Sequence, residues 1–234
     1  GTNNFVSDTI SDTRLNEYFG FTQDEVDRLL KDTGLQSCGK EIRKWYDGYR
    51  FGDFEVYCPW DVVNHVQSLL LNPASAPKNY WENTSDNAII RTFLKRTDFD
   101  VNDKFETLLA GGYIKESIEE NLTYDVLEGS EENLWSILYF TGYLTRVQPE
   151  EASGRELLSS LYRLKIPNAE VMEIFKKSVK AWFTETAAEK DRKELFAALW
   201  GGDAKKLTEM ISDLLFVTIS YHDYAESFYH AFLT

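Results

Sequence analysis

The residues best placed to do chemistry lie in three stretches. Gly34-Leu35-Gln36-Ser37-Cys38-Gly39-Lys40 satisfies the G-x-x-x-x-G-K pattern of a phosphate loop. Such a loop leaves a buried strand and opens a helix, so that backbone N–H groups and the helix N-terminus meet the phosphates. Here the residues before Gly34 read as an amphipathic helix, and Glu41 stands where a Ser or Thr hydroxyl should hold Mg²⁺. A carboxylate at that point repels a nucleotide, so the expectation is a helix–turn–helix with Gly34 as the cap. In the second stretch His222, Glu226 and His230 are spaced i, i+4, i+8 on one expected helix, near one face. A metal would need further ligands. Tyr221, Tyr224, Phe228 and Tyr229 interleave with these residues and point to a packed helix, so no metal is expected. His65 is expected to be structural. The third stretch is a hairpin carrying Arg146, Arg155, Arg163 and Lys165, which could touch nucleic-acid phosphates. No serine nucleophile elbow and no zinc pattern of Cys and His occurs. Carboxylates are too many for a catalytic pair to be picked out. No catalytic residue is expected in this chain.

The elements that must position these residues read as follows. Thr22-Gln23-Asp24-Glu25 is a capping box that opens a helix with Val26, Leu29 and Leu30 as its stripe, closed by Gly34. A second helix runs through Ile42 and Trp45 to about Gly48. Tyr49 to Tyr57 is a hairpin with Gly52-Asp53 at its tip. Pro59 opens a third helix with Val62, Val63, Val66, Leu69 and Leu70. A loop from Asn72 to Asn79 follows, then helices over about Asp86 to Lys95 and Val101 to Ala110. From Tyr113 the pattern changes to strand (Tyr113 to Ile118), helix (Glu131 to Phe140) and two strands (Leu144 to Val147, Leu161 to Ile166). A long helix capped by Asn168 follows. That is a winged-helix-like order. Helices over about Lys190 to Trp200, Asp203 to Ile219 and Tyr224 to Phe232 complete the chain. The expected class is mainly α. A multi-helical lid-like region (1–112) precedes a winged-helix-like α+β segment (113–187) and C-terminal helices (188–234).

Composition limits the partners. The chain has 25 Lys and Arg against 39 Asp and Glu, a net charge of −14. Duplex binding draws most of its affinity from cations on phosphates, so nucleic acid is disfavoured. Residues 113–187 hold 13 acidic and 8 basic side chains, and the would-be recognition helix Glu131 to Phe140 has no Lys or Arg. Two cysteines give no disulfide framework, which with the lack of a signal peptide or spanning run points to the cytoplasm and to no membrane partner. The start at Gly1 reads as an excised piece.

Several runs are distinctive in combination. They are Tyr18-Phe19-Gly20-Phe21-Thr22, Trp45-Tyr46-Asp47-Gly48-Tyr49-Arg50-Phe51-Gly52, Tyr57-Cys58-Pro59-Trp60 and Trp81-Glu82-Asn83-Thr84-Ser85, then the stretch from Leu134 to Leu144, and Leu164-Lys165-Ile166-Pro167-Asn168. In this order they resemble the bacterial AAA-ATPase-like proteins that carry a PD-(D/E)XK nuclease-like domain at the C-terminus, over nearly the whole chain. The resemblance implies that the phosphate loop and acidic Mg²⁺ motif lie upstream of Gly1 and the nuclease motif downstream of Thr234. Glu226 to His230 would open the nuclease-like domain. The chain itself would be a helical lid and a winged-helix-like connector. It would hold no cofactor of its own, with ATP and Mg²⁺ bound by the full-length protein. Its partners would be the upstream ATPase core and the downstream nuclease-like domain of the same polypeptide. AAA lids often supply an arginine to the nucleotide phosphates, and Arg50 and Arg91 are the candidates. The expected function is thus a non-catalytic regulatory and connecting module. Two alternatives stand beside it: a winged-helix nucleic-acid-binding module, and an interaction scaffold using Trp45, Tyr49, Phe51 and Trp60.

Overall fold

A computed structural model describes residues 15–81, 90, 102–119, 131–147, 161–189 and 197–210. Of the expected helix over Asp86 to Lys95 only Ile90 is described, helical and buried; the expected helix over Tyr224 to Phe232, the His222–Glu226–His230 face, Arg91 and Arg155 lie outside these residues. The class is mainly α with small antiparallel sheets. Contacts gather the chain into two compact units, Gly1–Asp86 with Tyr113–Ile174, and Asn87–Gly112 with Phe175–Thr234. Of the divisions drawn from sequence at 112 and 187, the first coincides with a boundary between these units.

In the first unit, helix α1 (Gln23–Thr33) starts on the capping box read from sequence. The Thr22 N–H donates to Glu25 Oε2 at 2.9 Å, and the Glu25 N–H returns to Thr22 Oγ1 at 3.4 Å. Gly34 ends the helix in the left-handed region at φ 73°, and its N–H reaches back to the last turn. Thr22→Ala removes the acceptor for one orphan N–H and should cost about 1 kcal/mol, read as a lower urea midpoint with unchanged slope. After a 3-10 turn at Gln36–Cys38, α2 (Gly39–Tyr46) packs on α1. A two-stranded hairpin follows, β1 (Tyr49–Phe51) and β2 (Phe54–Val56), with Tyr49 opposite Val56. Then Pro59 opens α3 (Pro59–Leu71). Val26, Leu30, Ile42, Tyr46, Tyr57, Val62, Val66 and Leu69 form one buried cluster from these helices and the hairpin's end. At helical spacing each contributes a face, which is why the periodicity was readable.

The same unit contains a three-stranded antiparallel sheet of β3 (Ile114–Glu116), β4 (Thr145–Arg146) and β5 (Tyr162–Lys165), in the order β3-β5-β4. Helix α5 (Glu131–Phe140) lies between β3 and β4 in sequence. It is buried at every position from Asn133 to Tyr139, with Trp135 and Leu138 fully enclosed. Helix α6 (Ala169–Glu189) begins in the first unit, where Asn168 Oδ1 caps it by accepting the Val171 N–H at 3.0 Å. In the second unit α4 (Asn102–Leu109) buries Phe105 and Leu108, and Phe105 meets Phe175 with ring centroids 6.0 Å apart. Helical residues 197–200 and 204–210 flank a turn at Gly201-Gly202, and Asp203 caps the second by accepting the Lys206 N–H.

Candidate functional site

The structure gathers its buried polar groups where the hairpin and α3 meet the three-stranded sheet and the start of α6. Four connections make this joint. The Arg50 N–H on β1 donates to Thr145 Oγ1 on β4 at 3.0 Å. Asn168 Nδ2 donates to the Asp47 carbonyl at 2.9 Å, so the residue that caps α6 also holds the chain entering the hairpin. Gly48, at φ 96°, presses its Cα face against the Pro167 carbonyl, and a Cβ there would overlap that oxygen. Trp81 packs against Tyr143 with ring centroids 4.9 Å apart and the rings tilted by 39°.

The fifth connection is a pair of carboxyls. Asp61, in the first turn of α3, and Glu170, in the first turn of α6, are both 0% exposed. Glu170 Oε1 accepts the Tyr80 N–H at 2.6 Å and the Trp81 N–H at 3.0 Å. The two side chains are close enough to perturb each other's protonation, and the Cys58 thiol lies beside Asp61. Burial raises the pKa of both carboxyls. For Glu170 the charge of Asp61 adds to the rise and the two amide N–H groups oppose it. Burial also pushes the Cys58 thiol up to about 12, so it stays protonated and unreactive.

The peptide between α3 and Trp81 is tied down as a strap. Tyr46 Oη donates to the Lys78 carbonyl at 3.0 Å and accepts the Lys78 N–H at 3.2 Å. Tyr80 Oη bonds Ser68 Oγ at 2.9 Å. His65 is fully buried between Tyr46 and Tyr80, and burial lowers its pKa, which favours the neutral ring. Asp47 is raised to about 6, chiefly by burial, although Arg43 Nε lies 3.3 Å from its Oδ2.

The other sequence candidates fall as follows. Gly34 to Lys40 joins one helix to the next through a 3-10 turn, with no strand before it, so it lacks the geometry of a phosphate loop. Arg50 is half-buried on β1, opposite Glu55 in the register, and makes no ion pair among the described residues. The basic residues of the sheet do not form one patch. Arg163 and Lys165 share a face of β5 with Lys115 and Thr145, whereas Arg146 pairs with Leu164 on the opposite face. Arg146 lies over the Tyr162 ring at 4.5 Å and Arg163 over the Tyr113 ring at 5.4 Å, so both guanidiniums already have aromatic contacts. Of the four aromatics proposed for a scaffold, Trp60 is exposed, and Phe51 is half-covered by its stack on Phe19.

Sequence reasoning passed over Asp61 and Glu170. The signal was present but faint: Asp61 shares a helix face with His65 and Leu69, and Glu170 with Ile174, all buried. An acid in a first turn is the ordinary companion of a helix dipole, and nothing local says that it is buried.

The chain is similar in sequence to a longer bacterial protein. The latter is an uncharacterized protein in the vnfD 5′ region of Azotobacter chroococcum mcd 1, 26% identical over 175 residues. The match covers 73% of this chain and 29% of that protein, so the chain spans under a third of its relative's length. No family model matches the chain, and no solved structure matches it. Among the described residues no group of three or more His, Cys, Asp and Glu could hold a metal ion, and no helix is long and apolar enough to cross a membrane.

Proposed function

We propose that the chain is a non-catalytic connecting module of a cytoplasmic AAA-ATPase-like protein, joining an ATPase core to a nuclease-like domain. The carrying observation is the joint. A lid-like set of helices and a wing-like sheet, separate in sequence, are bonded at Asp47, Gly48, Arg50 and Glu170 into one compact unit. A lid that moved with bound nucleotide would carry the wing-like sheet with it as one body. The longer relative is compatible with such a module having neighbours. ATP and Mg²⁺ would be bound by the core, and the residues of this chain offered to them are Arg50 and Arg91. The free guanidinium of Arg50 fits a phosphate contact better than a paired one would.

Arg50→Ala and Arg91→Ala in the full-length protein should each be assayed for ATP turnover. The lid arginine, once removed, should lower turnover at least about tenfold, since such arginines stabilise the charge that develops on the transferring phosphoryl group. Unchanged turnover in both variants would remove the lid role. Enzyme-like ATP hydrolysis by the isolated chain would remove the connector reading.

A second reading has one observation in its favour. Strand order β3-β5-β4, with α5 between the first two strands in sequence, is that of a winged helix, which can bind duplex DNA. Against it, α5 is buried from Asn133 to Tyr139 and leaves little to offer a groove. Duplex binding that weakens with salt would favour this reading, and its absence at low salt would end it.

A further inference from the structure

We propose that Asp61 and Glu170 form a proton-held latch: one proton shared by their carboxyls ties the start of α3 to the start of α6, and its loss loosens the Tyr80–Trp81 strap and the joint beneath it. The proposal concerns regulation of the joint on which the connector reading rests, but the latch itself needs only the geometry of this chain.

The geometry comes first. Both carboxyls are 0% exposed and lie in the first turns of two different helices. Glu170 Oε1 is committed to the amides of Tyr80 and Trp81. Glu170 Oε2 and both oxygens of Asp61 are buried and accept no N–H or hydroxyl O–H among the described residues. A proton between the two side chains gives one of them a donor and the other an acceptor. Without it, two buried carboxylates face each other and repel.

Among the described residues, the surroundings supply no substitute charge. From the turn before α3 comes the Cys58 thiol, neutral and beside Asp61. From α2 and β1 come Tyr46 and Tyr49, whose own ionisation is suppressed by burial and by these same carboxylates. From α3 comes His65, held neutral, and from α6 the amide side chain of Asn168. In the strap, the Lys78 ammonium sits over the Tyr80 ring at 5.1 Å. Asp47 titrates nearby, but it faces Arg43 and Glu55.

The direction follows from proton counting. Unfolded carboxyls have lost their protons by about pH 5, while the folded pair keeps one. The folded joint therefore binds more protons, and it weakens as pH rises from the ordinary carboxyl range up to the pair's own raised value. Asp47, raised to about 6, gives the same sign up to its own value, so the diagnostic part is the loss that disappears when the pair is removed.

Amide hydrogen exchange of the 234-residue chain, followed by NMR from about pH 5 to about pH 9 and corrected for intrinsic rates, tests this. The Tyr80 and Trp81 amides should lose protection with rising pH, by up to about tenfold for each unit between the ordinary carboxyl value and the pair's own raised value, and level off above it. In Asp61→Asn the amide donates where the proton stood, so protection should stay flat; in Glu170→Gln the side-chain carbonyl keeps both backbone amides, with the same result. Asp47 titrates in all three proteins and cancels in the comparison. Protection that is flat in the wild type, or that falls equally in the variants, overturns the latch. Carboxyl ¹³C titration of the wild-type chain decides between the two states even if both variants fail to fold: one proton retained at neutral pH supports the latch, and two ionised carboxylates beneath protected amides refute it. These readouts need no nucleotide, so they stand apart from the ATP-turnover test of the connector.

Discussion

Gly48→Ala should cost the chain about 3 kcal/mol, roughly twice the cost of the same change at Gly34. Both glycines have positive φ, 96° at Gly48 and 73° at Gly34. The backbone term alone, for a side chain forced into the left-handed region, is roughly 1–2 kcal/mol. At Gly34 nothing lies within 4 Å of the added methyl group, so that term is the whole effect. At Gly48 the methyl group meets the Pro167 carbonyl, a backbone atom that cannot rotate away. Relief requires Pro167 to move, and with it Asn168, which caps α6 and holds the Asp47 carbonyl. Overpacking of this kind adds about 1–3 kcal/mol. Urea denaturation of both variants checks the difference. Equal midpoints would mean that the hairpin and the sheet are not in contact through Gly48.

The second large effect belongs to Glu170. Glu170→Ala should destabilise by about 3 kcal/mol, whereas Glu170→Gln should stay within about 1 kcal/mol of the wild type. The alanine leaves the Tyr80 and Trp81 N–H groups without their acceptor and Asp61 without its partner. Glutamine keeps an oxygen for the first two and offers an N–H to the third. The relevant quantity is the gap between the two variants at one pH near neutrality, measured by urea denaturation with a common slope. A small gap would mean that water replaces the carboxyl cheaply and that the joint is wetter than its burial indicates.

Local signals carried much of the fold. The capping box at Thr22, the glycine stop at Gly34, Pro59 at a helix start and the Asn168 cap each act within a turn of the residue that encodes them. They were legible for that reason. The strands were also found, though the structure trims each of them, because a strand's ends depend on the neighbour that pairs with it. The joint was not legible. Arg50 and Thr145 are 95 residues apart, Tyr80 and Glu170 are 90, and Asn168 and Asp47 are 121. No period in the sequence reports a partner at such a distance. Arg146, Arg163 and Lys165 looked like one basic cluster because a hairpin was read as a strip of sequence, whereas pleating sends alternate side chains to opposite faces. A glycine pair and a change of pattern mark the boundary after Gly112, where one unit does end, but no local signal reports that the chain then returns to the unit begun by residues 1–86.

The first unit is interrupted, since its chain leaves after Asp86 and resumes at Tyr113. On the ribosome, this order matters. Residues 15–81 emerge early with a cluster from three helices that can collapse at once, but the acceptor for the Tyr80 and Trp81 amides is still some ninety residues from being made. Synthesis at about 5–20 residues per second leaves those amides waiting for several seconds. A nascent chain that stalled in this interval would display a half-built sheet-facing surface, with the Asp61 carboxyl lacking its partner, and would be a natural client for a chaperone.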